Sequence, residues 1–243
     1  MKSNTTKRVS LWSGPRNIST TMMYSFAQRK DTQVFDEPLY AYYLKNYPEA
    51  KAYHPGAEDI INTMNANGEE VVEMMLKDRS KPILFFKNMT HHLPGLDHHF
   101  LKDMVNIILT RHPQEMLSSY AKVIPNPKLH DVGYKMHADL VDYLQSKNIP
   151  VAVLDAKKVL LDPKKELQKL CTFIEIPFDN SMLSWSSGPR PEDGVWAKYW
   201  YTNVHNSKGF LPYKAKQDIF PEYLKPLLEE CLPYYKKLQK LTL

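Results

Sequence analysis

The chain has 243 residues and a mass of 28.3 kDa, and 43% of its residues are hydrophobic, which fills a substantial core and excludes a disordered or collagen-like chain. Lysine and arginine number 32 against 27 acidic residues, a formal net charge of +5 with a pI of about 8.9. So small an excess argues against a dedicated nucleic-acid binder and fits a bound polyanion of modest size. The two cysteines, Cys171 and Cys231, are too few and too far apart for a disulfide framework or a thiolate metal site and suit a reducing cytosol. Lys2, Lys7 and Arg8 precede a short apolar stretch, Val9 to Trp12, which Ser13-Gly14-Pro15-Arg16 ends far below the length of a signal-peptide core or membrane span. A soluble, cytoplasmic protein with no membrane partner is expected.

In chain order, Val9 to Ser13 reads as a short buried strand, and Ser19 or Thr20 is expected to cap a helix whose inner face carries Met22, Met23 and Phe26. Gln33 to Phe35 suits a strand. Glu58 to Leu76 reads as two helical segments broken near Asn67-Gly68. Ile83 to Phe86 and Val105 to Leu109 are continuous apolar runs of the kind a parallel sheet buries on both faces. Pro113 opens a helix with Met116, Leu117 and Tyr120 inward; Val151 to Leu154 makes another strand, and a helix follows around Lys164 to Phe173. This alternation predicts a single α/β domain over 1–243, in three layers, with a central mostly parallel sheet flanked by helices. The aromatic, Pro- and Gly-containing segment 178–220 is expected to form an irregular lid, and the tail from Pro221 to Leu243 one or two helices broken at Pro226 and Pro233.

Ser13 to Thr21 falls where an open parallel sheet places its ligand crevice, between a strand end and a helix N-terminus. Backbone N–H groups and the helix dipole favour an anion there, and Arg16 with Ser19, Thr20 and Thr21 adds a cation and three hydroxyls. The plainer alternative is a capping hydroxyl beside a solvated arginine. The loop lacks the G-x-x-x-x-G-K-[ST] pattern of a nucleotide-triphosphate site.

Gly14-Pro15-Arg16-Asn17-Ile18-Ser19-Thr20-Thr21 resembles the phosphosulfate loop, roughly P-[KR]-S-G-[ST]-[ST], of sulfotransferases that use 3′-phosphoadenosine 5′-phosphosulfate (PAPS), a family built on a P-loop-related fold. Ile18 stands where the family has glycine, and a β-branched residue adopts φ > 0 poorly. Val105 to Tyr120 resembles the family's second signature, a strand ending in R-x-P followed by a helix with a serine eight residues after the arginine, here Arg111 and Ser119. An arginine at a strand end and a serine two turns on can converge on a 3′-phosphate; the alternative is an arginine paired with a carboxylate and a serine bonding its own helix.

The resemblance extends to Lys87-Asn88-Met89-Thr90-His91-His92-Leu93-Pro94, similar to the family's K-x-H-L-P element. It implies His92 as the base that deprotonates the acceptor, with His91 next, and imidazole suits that role at neutral pH. Glu37 is the other candidate base, since some bacterial members carry a glutamate there. Val151 to Asp155 with Asp162-Pro163 matches a late strand and helix of the family, and Lys208-Gly209 is the nearest match to its C-terminal nucleotide segment.

The resemblance thus implies a sulfotransferase that moves a sulfuryl group from PAPS to a hydroxyl or amine of a small-molecule acceptor, leaving adenosine 3′,5′-bisphosphate (PAP), with no metal. Arg16 and Lys87 would stabilise charge on the bridging oxygen; Arg16, Asn17, Ile18, Ser19, Thr20 and Thr21 would hold the 5′ end, and Arg111, Ser119, Lys208 and Gly209 the 3′ end. Tyr40, Tyr42, Tyr43, Trp196 and Trp200 are candidate acceptor walls. His91, His92, His98 and His99 also raise a metal reading, which their adjacent spacing disfavours. A small-molecule kinase and a non-catalytic nucleotide-binding module are the alternatives; the oligomeric state is open, with a homodimer among the possibilities.

Overall fold

The computed structural model describes residues 6–215 and 219–243, so Lys2 and positions 216–218 of the expected lid lie outside the described residues. Five strands, β1 (Lys7–Ser13), β2 (Thr32–Asp36), β3 (Ile83–Met89), β4 (Val105–Thr110) and β5 (Val151–Asp155), form one sheet in the order β2-β3-β1-β4-β5. Every pair is parallel, which carries the expected mostly parallel sheet to its limit. Ser13 lies opposite Met89 on one side and Leu109 on the other, and Asp36 opposite Lys87. The carboxyl ends of four strands therefore share one rim.

Alternation along each strand feeds two cores. Val9, Leu11, Phe85 and Ile107 face one cluster, Trp12, Leu84, Phe86 and Ile108 the other. The first face is covered by α1 (Ser19–Phe26), α2 (Tyr40–Asn46), α3 (Pro48–Tyr53), α4 (Ala57–Thr63) and, from further along, α9 (Ala156–Leu161) and α10 (Pro163–Phe173). On the second face lie α5 (Gly68–Lys77), which Asn67 caps through its side chain, and α8 (Tyr134–Ser146). Beyond β4 come α6 (Pro113–Tyr120), α7 (Leu129–Val132) and α8 (Tyr134–Ser146); beyond β5 come α9 (Ala156–Leu161) and α10 (Pro163–Phe173). A third cluster joins α6 to the last helix.

The 178–220 segment contains the short helices α11 (Ala197–Trp200) and α12 (Thr202–His205) and an antiparallel bridge from Ser184 to Gly209. Its Trp185, Trp196, Tyr201 and Val204 are buried in the first core. The final helix, α13 (Lys225–Gln239), differs from expectation: Pro226 occupies its first turn, where no N–H is needed, but the helix runs on through Pro233. Burial of Leu227, Cys231, Tyr235 and Leu238 along one stripe outweighs the lost hydrogen bond. Cys171 on α10 and Cys231 on α13 are free and buried.

Candidate active site

From β1 the chain crosses to the β2 side of the sheet, and from β4 it crosses to the β5 side. The rim between β1 and β4 is the point where the strand order reverses, the place where such sheets open a crevice. The loops leaving these two strands carry Arg16 and Arg111. Both line a cavity of about 360 Å³, together with Ser19, Thr20 and Ser119.

The loop after β1 is wound tightly. Arg16 has φ of 58° and Ile18 a φ of 62°, so Ile18 takes the left-handed conformation natural to glycine despite its branched side chain, which packs against the first core. Ile18 is also the N-cap of α1 and no side chain caps the helix; the expected capping by Ser19 or Thr20 does not occur. The left-handed turn at Ile18 instead leaves Ser19 and Thr20 on the cavity wall. Asn17 is tied down by its own Nδ2, which donates to the Leu109 carbonyl at 3.2 Å.

Arg16 Nε donates to Ser119 Oγ at 3.1 Å, and Arg111 Nη1 donates to the Arg16 carbonyl at 3.1 Å. Arg111 pairs with Glu115 at 3.1 Å, but no carboxylate among the described residues lies within ion-pair distance of Arg16. Burial, and then the neighbouring Arg111 charge, lower the Arg16 pKa. The two arginines and Ser119 thus line one cavity, and Arg111 also makes the plain Arg–Glu pair.

On the other wall Lys87, buried at the end of β3, donates to Glu37 Oε1 at 2.5 Å, to Asp36 Oδ1 at 2.8 Å and to the Tyr201 hydroxyl oxygen at 2.6 Å. Burial alone would lower the Lys87 pKa, but the carboxylates of Asp36 and Glu37 outweigh it and raise it. Tyr201 in turn donates to Asp36 and accepts from Trp196 Nε1 at 3.0 Å, and the Gly194 amide donates to Asp36 Oδ2 at 3.0 Å. Glu37 sits at φ of 44°, a strained conformation for a non-glycine residue of the kind that functional sites retain. Burial raises its pKa, Lys87 opposing and Asp36 assisting.

His92 is completely buried, stacked on Tyr40 and Tyr43 at centroid distances of 4.9 and 4.8 Å. Neither of its ring nitrogens has a hydrogen-bond partner, nor has Nδ1 of His91. Burial first, then the charges of His91, His54 and Lys87, hold the His92 pKa well below 6.5; burial and then His54 bring His91 down to about 3. Both imidazoles are neutral and face the cavity.

Among the expected acceptor walls, Tyr40, Trp196 and Trp200 line this cavity. Tyr42 instead donates to the Pro94 carbonyl, and Tyr43 lies behind His92. Lys208 and Gly209 are not on the wall: the Lys208 carbonyl accepts from Trp185 N, and a Cβ on Gly209 would meet the Leu183 carbonyl oxygen at 2.8 Å. His98 and His99 lie apart, against Tyr143 and Asp97, and no group of three metal-binding side chains exists among the described residues. Asp36 and Tyr201 had no expectation. The acidic pair Asp36-Glu37 at a strand end was a visible signal for the first; nothing local marks Tyr201, 114 residues from Lys87.

The model of the sulfotransferase domain family matches residues 7–241, and the chain belongs to that family. Three solved structures share the fold. The sulfotransferase domain of the Synechococcus PCC 7002 olefin synthase is 15% identical, with 95% of this chain and 97% of that one covered and a TM-score of 0.53. The sulfotransferase domain from the curacin biosynthetic pathway is 15% identical, with 96% and 99% covered and a TM-score of 0.55. A sulfotransferase from Alicyclobacillus acidocaldarius is 13% identical, with 98% and 96% covered and a TM-score of 0.57. Two curated Arabidopsis thaliana proteins, branched-chain-amino-acid aminotransferase-like proteins 2 and 1, are 38% and 40% identical over 230 residues, 94% of this chain. The chain spans 40% and 41% of their lengths, about two fifths. No helix among the described residues is long and apolar enough to cross a membrane.

Proposed function

We propose that the chain transfers a sulfuryl group from PAPS to the hydroxyl or amine of a small-molecule acceptor, releasing PAP. One observation carries the reading: Arg16, half-buried and without a carboxylate partner among the described residues, is crowded by Arg111 at the N-terminus of α1. Two guanidinium groups so placed are stabilised by an anion of more than one charge, and the helix start, which no side chain caps, adds to it.

In the transfer, a lone pair of the acceptor oxygen or nitrogen forms the new bond to sulfur while the bond from sulfur to the bridging oxygen of the 5′-phosphate breaks. That oxygen keeps the electron pair, and Arg16 and Lys87 stabilise its charge; Ser19 and Thr20 hold the phosphate, with Arg111 and Ser119 on the 3′ side. Asp36 helps keep the Lys87 ammonium charged, and Tyr201 helps hold it in place. The acceptor proton passes to Glu37. Of the two candidate bases, Glu37 has its pKa raised towards working pH, while that of His92 is pushed far below it, and a base works best near the pH at which it operates. Neutral His92, with both nitrogens unpartnered, orients the acceptor hydroxyl.

The aminotransferase-like names of the two plant relatives suit Lys87 poorly. A Schiff-base lysine needs a depressed pKa, and Asp36 and Glu37 raise this one.

Calorimetry tests the donor site. PAP is expected to bind and to raise the melting temperature without magnesium, and Arg16→Ala to weaken it by about tenfold or more. Stabilisation by magnesium-ATP equal to that by PAP would favour the kinase reading instead. With labelled PAPS and an acceptor panel, Glu37→Gln is expected to cut turnover about 100- to 10,000-fold while PAP binding stays intact. Because protonated Glu37 is inactive, the rate is expected to rise with pH through a midpoint above the ordinary carboxylate value of 4.5, and this acid limb to vanish in Glu37→Gln. An acid limb that survives in Glu37→Gln and disappears in His92→Ala returns the base to His92.

A further inference from the structure

The first cavity, at about 360 Å³, lies at the low end of the roughly 300–1,000 Å³ that holds one small-molecule ligand. Sulfuryl transfer needs donor and acceptor in place together, so the body of the acceptor requires space beyond it. A second cavity of about 720 Å³ adjoins, and His91 is common to both walls. His91 is buried between the two, and its Nδ1 has no hydrogen-bond partner from the fold, so a polar group entering either cavity can supply one.

The chemistry of the second cavity is aromatic. Tyr43, Tyr47 and Tyr53 line it, with Met136, Ile124 and Pro125 across from them; the Tyr43 and Tyr47 rings stand 5.3 Å apart, and Tyr43 is 4.9 Å from the His91 ring. Its charges are already spent or balanced. The Asp131 carboxylate accepts from the Tyr53 hydroxyl at 2.8 Å and from the Lys128 amide at 2.8 Å, and pairs with His130 Nε2 at 2.9 Å. Glu49 and Lys128 oppose one another in sign at its exposed edge.

Resting on the sulfuryl-transfer reading, we propose that the acceptor is bipartite: its hydroxyl or amine head lies among His91, His92 and Glu37, and an uncharged, ring-bearing body passes His91 to fill the cavity under Tyr43, Tyr47 and Tyr53. The head supplies the hydrogen bond that His91 lacks. His91 and the tyrosines select an acceptor longer than one ring, because a compact one leaves the larger cavity unfilled.

Phenol and 4-phenylphenol are the probes, titrated calorimetrically into protein saturated with PAP. The second ring is expected to tighten binding by about tenfold, since it buries its apolar surface among the tyrosines. Met136→Trp, which fills the cavity from α8, is expected to abolish that gain while leaving the affinities for phenol and PAP unchanged. Tyr47→Ala, which removes a wall from a half-buried position, is expected to reduce the same gain and guards against a distorted α8 in the first variant. Equal affinity for the two phenols, no binding of either, or a gain that survives both variants overturns the proposal. Failure of PAP itself to bind is a different result and sinks the sulfuryl-transfer reading.

Discussion

Ile18 concentrates the conflict between local preference and site geometry in one residue. A left-handed backbone costs a non-glycine side chain roughly 1–2 kcal/mol, while the partly buried side chain recovers about as much through contact with the first core. Ile18→Gly is therefore expected to be close to neutral, because strain and packing leave together. Ile18→Ala keeps the strain and loses the packing, and is expected to be the less stable of the two by about 1 kcal/mol. Denaturant unfolding checks this, and the order is the reverse of that found at an ordinary helix position. Ile18 thus holds a left-handed turn at the position where the resembled loop has glycine.

The elements that carry the loop after β1 were legible because their signals are local. A buried run ending at Ser13, a proline at the start of α6 and an Asn-Gly break between α4 and α5 each act within a few residues. α8 and the course of α13 through Pro233 were less visible, since burial against distant elements decides them. The candidate site was legible to the same degree: Arg16, Arg111, Lys87 and Glu37 lie at or just beyond strand ends and Ser119 two turns into α6, all within reach of local signals, whereas Tyr201 reaches Lys87 only through the packing of the segment after α10. That segment is held to β2 chiefly at Asp36, which takes the Tyr201 hydroxyl and the Gly194 amide besides Lys87. Asp36→Ala leaves the buried ammonium with one carboxylate fewer and is expected to cost about 3–5 kcal/mol, or roughly 10 °C in melting temperature at this size. Tyr201→Phe, which retains the ring, is expected to cost about 1–3 kcal/mol. A melting temperature of Asp36→Ala within a degree or two of the parent would show that the segment is anchored elsewhere.

For the molecule as a whole, the histidines buried in neutral form set the response to acid. Burial holds His54 down to about 4 and His91 down to about 3, from an ordinary value of 6.5. The unfolded chain therefore binds protons that the folded chain refuses, and stability is full above pH 6.5 and falls progressively towards pH 4 and below. Glu37 acts in the opposite sense, its raised pKa letting the folded state take up a proton first as pH drops, but it is one group against several histidines. The melting temperature is expected to be lower at pH 5 than at pH 7, and a His54→Phe, His91→Phe double variant to flatten that dependence. An acid response unchanged in the double variant would place its origin in other groups.

The two thiols extend this to time. Cys171 and Cys231 sit on separate helices in separate clusters, and burial pushes them up to about 11 and about 12, so neither offers a thiolate to an alkylating reagent in the folded state. Each reacts only when its own helix lifts away. Their rates of alkylation thus clock two openings independently, one at α10 beneath the first core and one at α13, and an added bisphosphate that slows one clock more than the other reveals which part of the chain it ties down.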